Sequence, residues 1–426
     1  MTALPAAHWV ERASLARLAD GLAMAAVASL PWSTSATSIF IVLWLLALLP
    51  TLDVKALRPD LLTPAGGIPV LLWLLGIAGL IWAAVSWRER LGGLESFHRL
   101  LVIPLAFSQF RRSGQGVAVA MVFLLSESAL LAFSLVHLAL WDFALFHFGH
   151  FAGVPVKNYI SQSAMFEVCG FALLGLVVAE WQAGRQLRAL GLLVLAATFV
   201  LHLIYIATGR TALVALPVLA MLFGLRYFGW KGILGAVAIA VVVAAISWAS
   251  SPYLRWRVDR AVEEIQIYLT TGKPTSSGVR LEWWRKASGF VEQAPILGHG
   301  TGSINEMYRR SQTNDDSAAS IPAENPHQQL LAVAIQLGLV GAAVLIAMWV
   351  AHVALFWIPG PIGWAGLVVV VQQLVGSMFN SALFDFTEGW LYVLGVGVLG
   401  GVVRRQQFAG HETSAAPTSV LAKPRA

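Results

Sequence analysis

Residues 211–249 read TALVALPVLAMLFGLRYFGWKGILGAVAIAVVVAAISWA, two apolar runs whose charges, Arg226 and Lys231, lie only at the join. A helix needs about 20 mainly apolar residues to cross the hydrocarbon core of a bilayer. It is also one of only two structures that leave no backbone polar group unpaired there. The stretch therefore predicts two membrane helices, 211–226 and 231–249, joined by a short basic turn.

The rest of the chain has the same character. Of 426 residues, 58% are hydrophobic and 12% are charged, whereas soluble domains carry about 25% charged residues. Mean hydropathy is +0.73, and seventeen tryptophans suit a protein with two headgroup boundaries to line. The single cysteine, Cys169, excludes an intrachain disulfide. The net charge of +6 does not point to nucleic acid, because basic loop residues in a membrane protein first of all set topology.

The span rule predicts an all-α polytopic membrane protein with about 12 transmembrane helices: 15–32, 35–52, 67–86, 97–110, 117–140, 162–182, 187–207, 211–226, 231–249, 327–357, 361–380 and 388–403. This divides the chain into transmembrane helices 1–9 over 1–249, a helical loop over 250–326, helices 10–12 over 327–405, and a disordered cytoplasmic tail over 406–426. With the N-terminus inside, the inner loops carry Lys55 and Arg58, Arg111 and Arg112, Arg185 and Arg188, Arg226 and Lys231, and Arg404 and Arg405. That agrees with the positive-inside rule. The long loop then lies outside the cytoplasm, which in a diderm bacterium is the periplasm, with the chain in the inner membrane.

On that outer face the loop 253–268 has helical spacing of aromatic and aliphatic residues, as an interfacial amphipathic helix would. A second helix follows the Gly and Pro of TTGKPTSSG, with Glu282 and Lys286 spaced i,i+4 as an ion pair, and Pro295 ends it. LGHGTGS places Gly298, Gly300 and Gly302 in alternation. No strand precedes them, so a dinucleotide loop is disfavoured. A tight turn or a loop lining a lipid-linked substrate site remains. SQTNDDSAAS offers no Asp-x-Asp spacing, and no His, Cys or carboxylate set has metal-ligand spacing, so no metal or cofactor is expected.

Four features carry the chemistry. Arg210 stands in a short outer turn, where a basic residue is disfavoured; headgroup snorkelling is its bland reading. Arg280 lies on the second loop helix, and His327 where the loop re-enters the membrane. Asp385 and Glu388 fall between the last two spans, in NSALFDFTEGW. Arg88, Arg90 and Arg99 suggest contacts to lipid phosphate, and His147 and His150 lack a third metal ligand. Two guanidiniums and one imidazole thus share one membrane face. Arginine holds phosphate bidentately, and histidine transfers protons near neutral pH. That set suits a phosphate-activated donor and a hydroxyl acceptor.

TGRTALVAL, RLEWWRKASGFVEQAPILGHGTGS and NPHQQLLAVAIQLGLVG together resemble the O-antigen ligase family and its relatives, over about residues 200–345. His327 followed by ten residues and Gly338 carries much of the likeness, while Pro326 before the histidine and Gln328 after it depart from the common pattern. The resemblance implies a GT-C-type glycosyltransferase, inverting, metal-independent and without ATP. Its donor would be O-antigen on undecaprenyl pyrophosphate and its acceptor a sugar hydroxyl of lipid A–core. His327, Arg280 and Arg210 become the expected catalytic residues. Arg210, Arg280, Gly298, Gly300, Gly302, Gln328 and Asp385 become the expected substrate contacts. The same chemistry serves an O-antigen polymerase or a protein O-oligosaccharyltransferase. A transporter fits less well, because no internal repeat is evident and the notable charges lie at the outer face.

Overall fold

The computed structural model describes residues 6–143, 145, 148–149, 151–206 and 209–415. Among the described residues helix makes up 81% and there is no named strand. Sixteen helices follow in order: α1 Ala6–Ser29, α2 Thr34–Leu48, α3 Val54–Leu61, α4 Pro64–Trp82, α5 Trp87–His98, α6 Val102–Ser113, α7 Gly116–Ala139, α8 Tyr159–Gln182, α9 Gln186–Tyr205, α10 Arg210–Ser250, α11 Pro252–Thr271, α12 Ser276–Gln293, α13 Ile304–Arg310, α14 Gln329–Phe356, α15 Pro361–Phe379 and α16 Phe386–Ala415.

Among the described residues nine helices are long and apolar enough to cross a membrane. One of them, α10, is continuous only in name. Gly229 breaks it with φ 66° and ψ −156°. A Cβ at Gly224 would lie 2.3 Å from the Gly232 carbonyl, so the two legs fold back in backbone contact as a hairpin. The expected pair 211–226 and 231–249 survives in that form. The expected span 97–110 is carried by two pieces. A capping box of Ser86 and Glu89 starts α5, a 3₁₀ turn at Arg99–Leu101 joins it to the 12-residue α6, and the backbone stays right-handed helical through the join. At 1.5 Å per residue each piece is about 18 Å long, shorter than the roughly 30 Å hydrocarbon core. Only together do they run from the end of α4, where Arg90 meets Leu80, back to Arg111 beside Asp60. The fully buried Ile103, Phe107 and Phe110 pack α6 on α16.

The core is built on α4, α8, α14, α15 and α16, with Trp364 and Tyr392 fully buried within it. Trp364 Nε1 donates to the Phe171 carbonyl at 2.6 Å, which removes the cost of enclosing its indole N–H. Outward faces stay apolar, with Ile81 81% and Leu187 87% exposed, as a lipid-facing surface requires. At the end opposite the long loop, buried Asp60 of α3 is paired by Arg111 of α6 at 3.0 Å and Arg404 of α16 at 3.3 Å. Two basic residues read as topology signals are thus also structural ties. The last helix, α16, continues to Ala415, beyond residue 406 where the sequence suggests a disordered tail.

The loop 294–302 is docked into a second break. Gly338 interrupts α14 with φ 65° and ψ −165°. The loop amides take over the carbonyls there, His299 N donating to Ile335 O at 2.8 Å and Gly300 N to Gln336 O at 2.9 Å, while Leu339 N donates to Pro295 O at 2.7 Å. A Cβ at Gly338 would sit 2.1 Å from the Ile296 carbonyl, so only glycine closes this junction.

Candidate active site

His327 stands just before α14, and Trp283 of α12 covers it. Its ring stacks on Trp283 with centroids 5.2 Å apart and 19° between planes. Its backbone has φ 49°, the one non-glycine residue with positive φ among those described. Asn325 stabilises that turn, its Oδ1 accepting the His327 N–H at 2.7 Å. A side chain in the left-handed region is uncommon and costs free energy, so the imidazole is held in place by its surroundings.

Those surroundings also set its tautomer. His327 Nδ1 lies 2.8 Å from Asn380 Oδ1, and Asn380 Nδ2 donates to Asp385 Oδ2. An ionised carboxylate only accepts, so the amide nitrogen of Asn380 faces Asp385 and its oxygen faces the ring. The proton then rests on Nδ1, and Nε2 keeps its lone pair. Burial lowers the His327 pKa below the ordinary imidazole value, with the Asn380 bond opposing and the Arg280 charge adding to the fall. The ring is neutral at pH 7. Burial, and then the neighbouring Glu388, push Asp385 up to about 7, with Arg99 and Asn380 working against them.

Arg280 projects from α12 into two spaces at once. One is a groove of about 380 Å³ between α12 and the chain at Ile321, with His327 in its wall. The other is a cavity of about 110 Å³ lined by the starts of α8 and α10, the end of α15, Asn380 and Glu388. Gly209 N-caps α10 without a side chain, and Gly209, Thr211 and Ala212 all line this cavity. The first amides of a helix have no intrahelical acceptor, and a helix N-terminus attracts anions. Arg210 is the first residue of α10; its side chain lies outside the described residues, as do His147 and His150. Arg280 thus stands between the two: His327 lines the groove, and Asn380 and the start of α10 line the cavity. The cavity can hold an anion, and the groove offers a base.

The remaining expected contacts lie elsewhere. Gly298 adopts φ 66° against the backbone of 336–338, Gly300 φ 90° against Ala83, and Gly302 φ 87° against Glu89 and Arg90. All three serve the docked loop and do not line the space beside Arg280. Gln328 caps α14, its side chain accepting from Leu331 N at 2.5 Å. Asp385 orients Asn380, as described above.

Three further readings are corrected. Glu282 pairs with Arg285 at 2.5 Å, not with Lys286, whose Nζ donates to the Ser311 and Ala319 carbonyls at 2.8 and 2.6 Å. Arg90 donates to the Leu80 carbonyl at 2.6 Å and to Val85 O at 3.0 Å, closing the end of α4. Arg99 donates to the Asp385 and Phe384 carbonyls, so two of the three arginines assigned to lipid phosphate are spent inside the fold. Asn380 and Trp283 complete the surroundings of His327 without being singled out by the sequence. Their only sequence signal is a short polar residue beside Asp385 and an aromatic three positions after Arg280.

Residues 191–346 match the family model described as O-antigen ligase. This stretch runs from α9 through the first part of α14 and includes Arg210, Arg280 and His327. No curated protein matches the chain.

Proposed function

This chain belongs to the O-antigen ligase/polymerase superfamily, and on that premise we propose that it is the ligase, a periplasm-facing enzyme of the bacterial inner membrane. It moves O-antigen polysaccharide from undecaprenyl pyrophosphate to a sugar hydroxyl of lipid A–core. The observation that carries the reading is the placement of Arg280, which borders both the cavity at the start of α10 and the groove ending at His327.

The chemistry follows from those groups. The donor pyrophosphate lies against Arg280, Arg210 and the open amides of α10. His327 Nε2 accepts the proton of the acceptor hydroxyl as its oxygen forms a bond to the anomeric carbon. The bond from that carbon to the pyrophosphate oxygen breaks, and the electron pair leaves with the lipid pyrophosphate. Attack from the side opposite the leaving group inverts the anomeric centre. Asn380 and Asp385 hold the imidazole with its proton on Nδ1. General-base assistance is typically worth about 10² to 10⁴ in rate. Positioned cations at a leaving group contribute as much or more.

The test uses a strain lacking its own ligase, complemented with this gene or with Arg280→Ala. Extracted lipopolysaccharide is resolved on a gel and probed for O-antigen. A ladder of capped lipid A–core with the wild-type gene only is expected. Growth of repeat-length polymer in a polymerase-deficient host, with no capping, would move the assignment to the polymerase.

A further inference from the structure

The floor of the same cavity carries a carboxyl that the mechanism does not use. Glu167 of α8 is 1% exposed. Among the described residues its Oε1 has no hydrogen-bond partner, and its Oε2 is met only by Gln372 Nε2 at 3.3 Å. Both residues line the cavity together with Arg280 and Asn380. Enclosing a polar atom without a partner costs free energy, so buried polar groups are nearly always satisfied. Two other buried carboxylates show the rule: Asp60 has two arginines, and Glu282 has Arg285 and the Tyr268 hydroxyl. Glu127 is also unpartnered, but it does not line this space.

An oxygen left open toward a cavity is an acceptor held ready for a donor. A carboxyl offers no cation to the phosphates proposed to bind Arg280, so its partner is the uncharged part of the same molecule. We propose that Glu167, braced by Gln372, is a sugar subsite that accepts a hydroxyl or amide N–H of the pyrophosphate-linked sugar of the donor. It orients that ring so that its anomeric carbon faces Arg280 and His327. This rests on the transferase reading given above. Glu167 is a positioning residue and takes no proton in the reaction.

The experiment measures binding to purified protein in lipid nanodiscs with two probes. One is polyprenyl pyrophosphate carrying a single N-acetylhexosamine, and the other is the same lipid pyrophosphate without sugar. In Glu167→Ala the sugar-bearing probe should bind about tenfold more weakly or worse, the loss of one hydrogen bond from a buried carboxyl. Glu167→Gln, which keeps one carbonyl acceptor, should fall between. The sugar-free probe should bind both variants as it binds wild type, which also certifies that they are folded. Equal weakening of both probes would make Glu167 a packing residue and overturn the subsite. Unchanged binding of both would overturn it as well, while transfer by the wild type left the transferase reading intact. Failure of the wild type to bind either probe would remove the transferase reading and the subsite with it.

Discussion

Two motifs on one face of this protein look equally purposeful in the sequence and do opposite things. The glycine loop 298–302 and the segment around His327 both sit next to α14 and both are rich in polar backbone. In the glycine loop the polar groups of His299, Gly300 and Thr301 are consumed by the carbonyls of Ile335, Gln336 and Gly79. Around His327 the side chains line space: Arg280 borders two openings, and Gly209 leaves α10 without a side-chain cap. Alternating glycines thus mark a close backbone junction here, and the proposed function lies where charged and titratable side chains line an opening.

Breaking the open region should cost activity and spare the fold. Arg280→Ala should lower transfer by about 10³-fold, because it removes a cation aimed at the leaving group. Arg280→Lys should recover only part, since an ammonium is a point charge and cannot grip phosphate bidentately. His327→Ala should cost about 10²-fold, with donor binding kept. Circular dichroism and thermal melts of all three should match wild type. If His327→Ala transferred at a near-normal rate while Arg280→Ala failed, His327 would be a positioning group rather than the base.

Breaking the closed region should cost the fold first. Gly338→Ala places a Cβ 2.1 Å from the Ile296 carbonyl, at a φ of 65° that side chains rarely adopt. Such an incompatible replacement destabilises by more than about 1 kcal/mol. The expected result is a lower melting temperature and less protein in the membrane, with activity per folded molecule preserved. A stable Gly338→Ala with no activity would instead place this junction in the chemistry.

The pH profile sharpens the open side further. Asp385 titrates near 7 and its ionised form fixes Asn380. Above that pH the carboxylate holds the relay, and below it protonation releases the amide. Transfer should therefore rise with pH through about 7. In Asp385→Asn this limb should move to lower pH, because the lowered titration of His327 then governs alone. An unmoved limb would detach Asp385 from the site. The smallest effect belongs to a surface pair: Arg285 is 69% exposed beside Glu282, and Arg285→Ala should shift stability by less than about 1 kcal/mol.

Much of this was legible in the sequence, and the failures have physical reasons. Apolar runs of nearly 20 residues gave the long helices directly, and the pair 211–226 and 231–249 is the α10 hairpin. The span at 97–110 is divided between α5 and α6 because a 3₁₀ turn at Arg99–Leu101 interrupts the α hydrogen bonding, a feature with no periodic signature. Arg280 and His327 were visible as basic groups on one face. Asn380 and Glu167 were not, since a lone amide or a lone carboxyl in an apolar helix has no spacing to announce it; only the packing of α8, α12 and α15 gives each its neighbour. Glu282 with Lys286 misled because i,i+4 spacing permits a pair without requiring it, and Lys286 found carbonyls instead.

The most direct test of the central claim separates donor binding from transfer in the purified protein. Wild type, Arg280→Ala and His327→Ala would be supplied in nanodiscs with a lipid-pyrophosphate donor and lipid A–core, and both bound donor and released lipid pyrophosphate measured. The account predicts that Arg280→Ala loses binding and release together, whereas His327→Ala binds donor normally and releases almost none. Normal donor binding by Arg280→Ala, or near-normal release by His327→Ala, would contradict it.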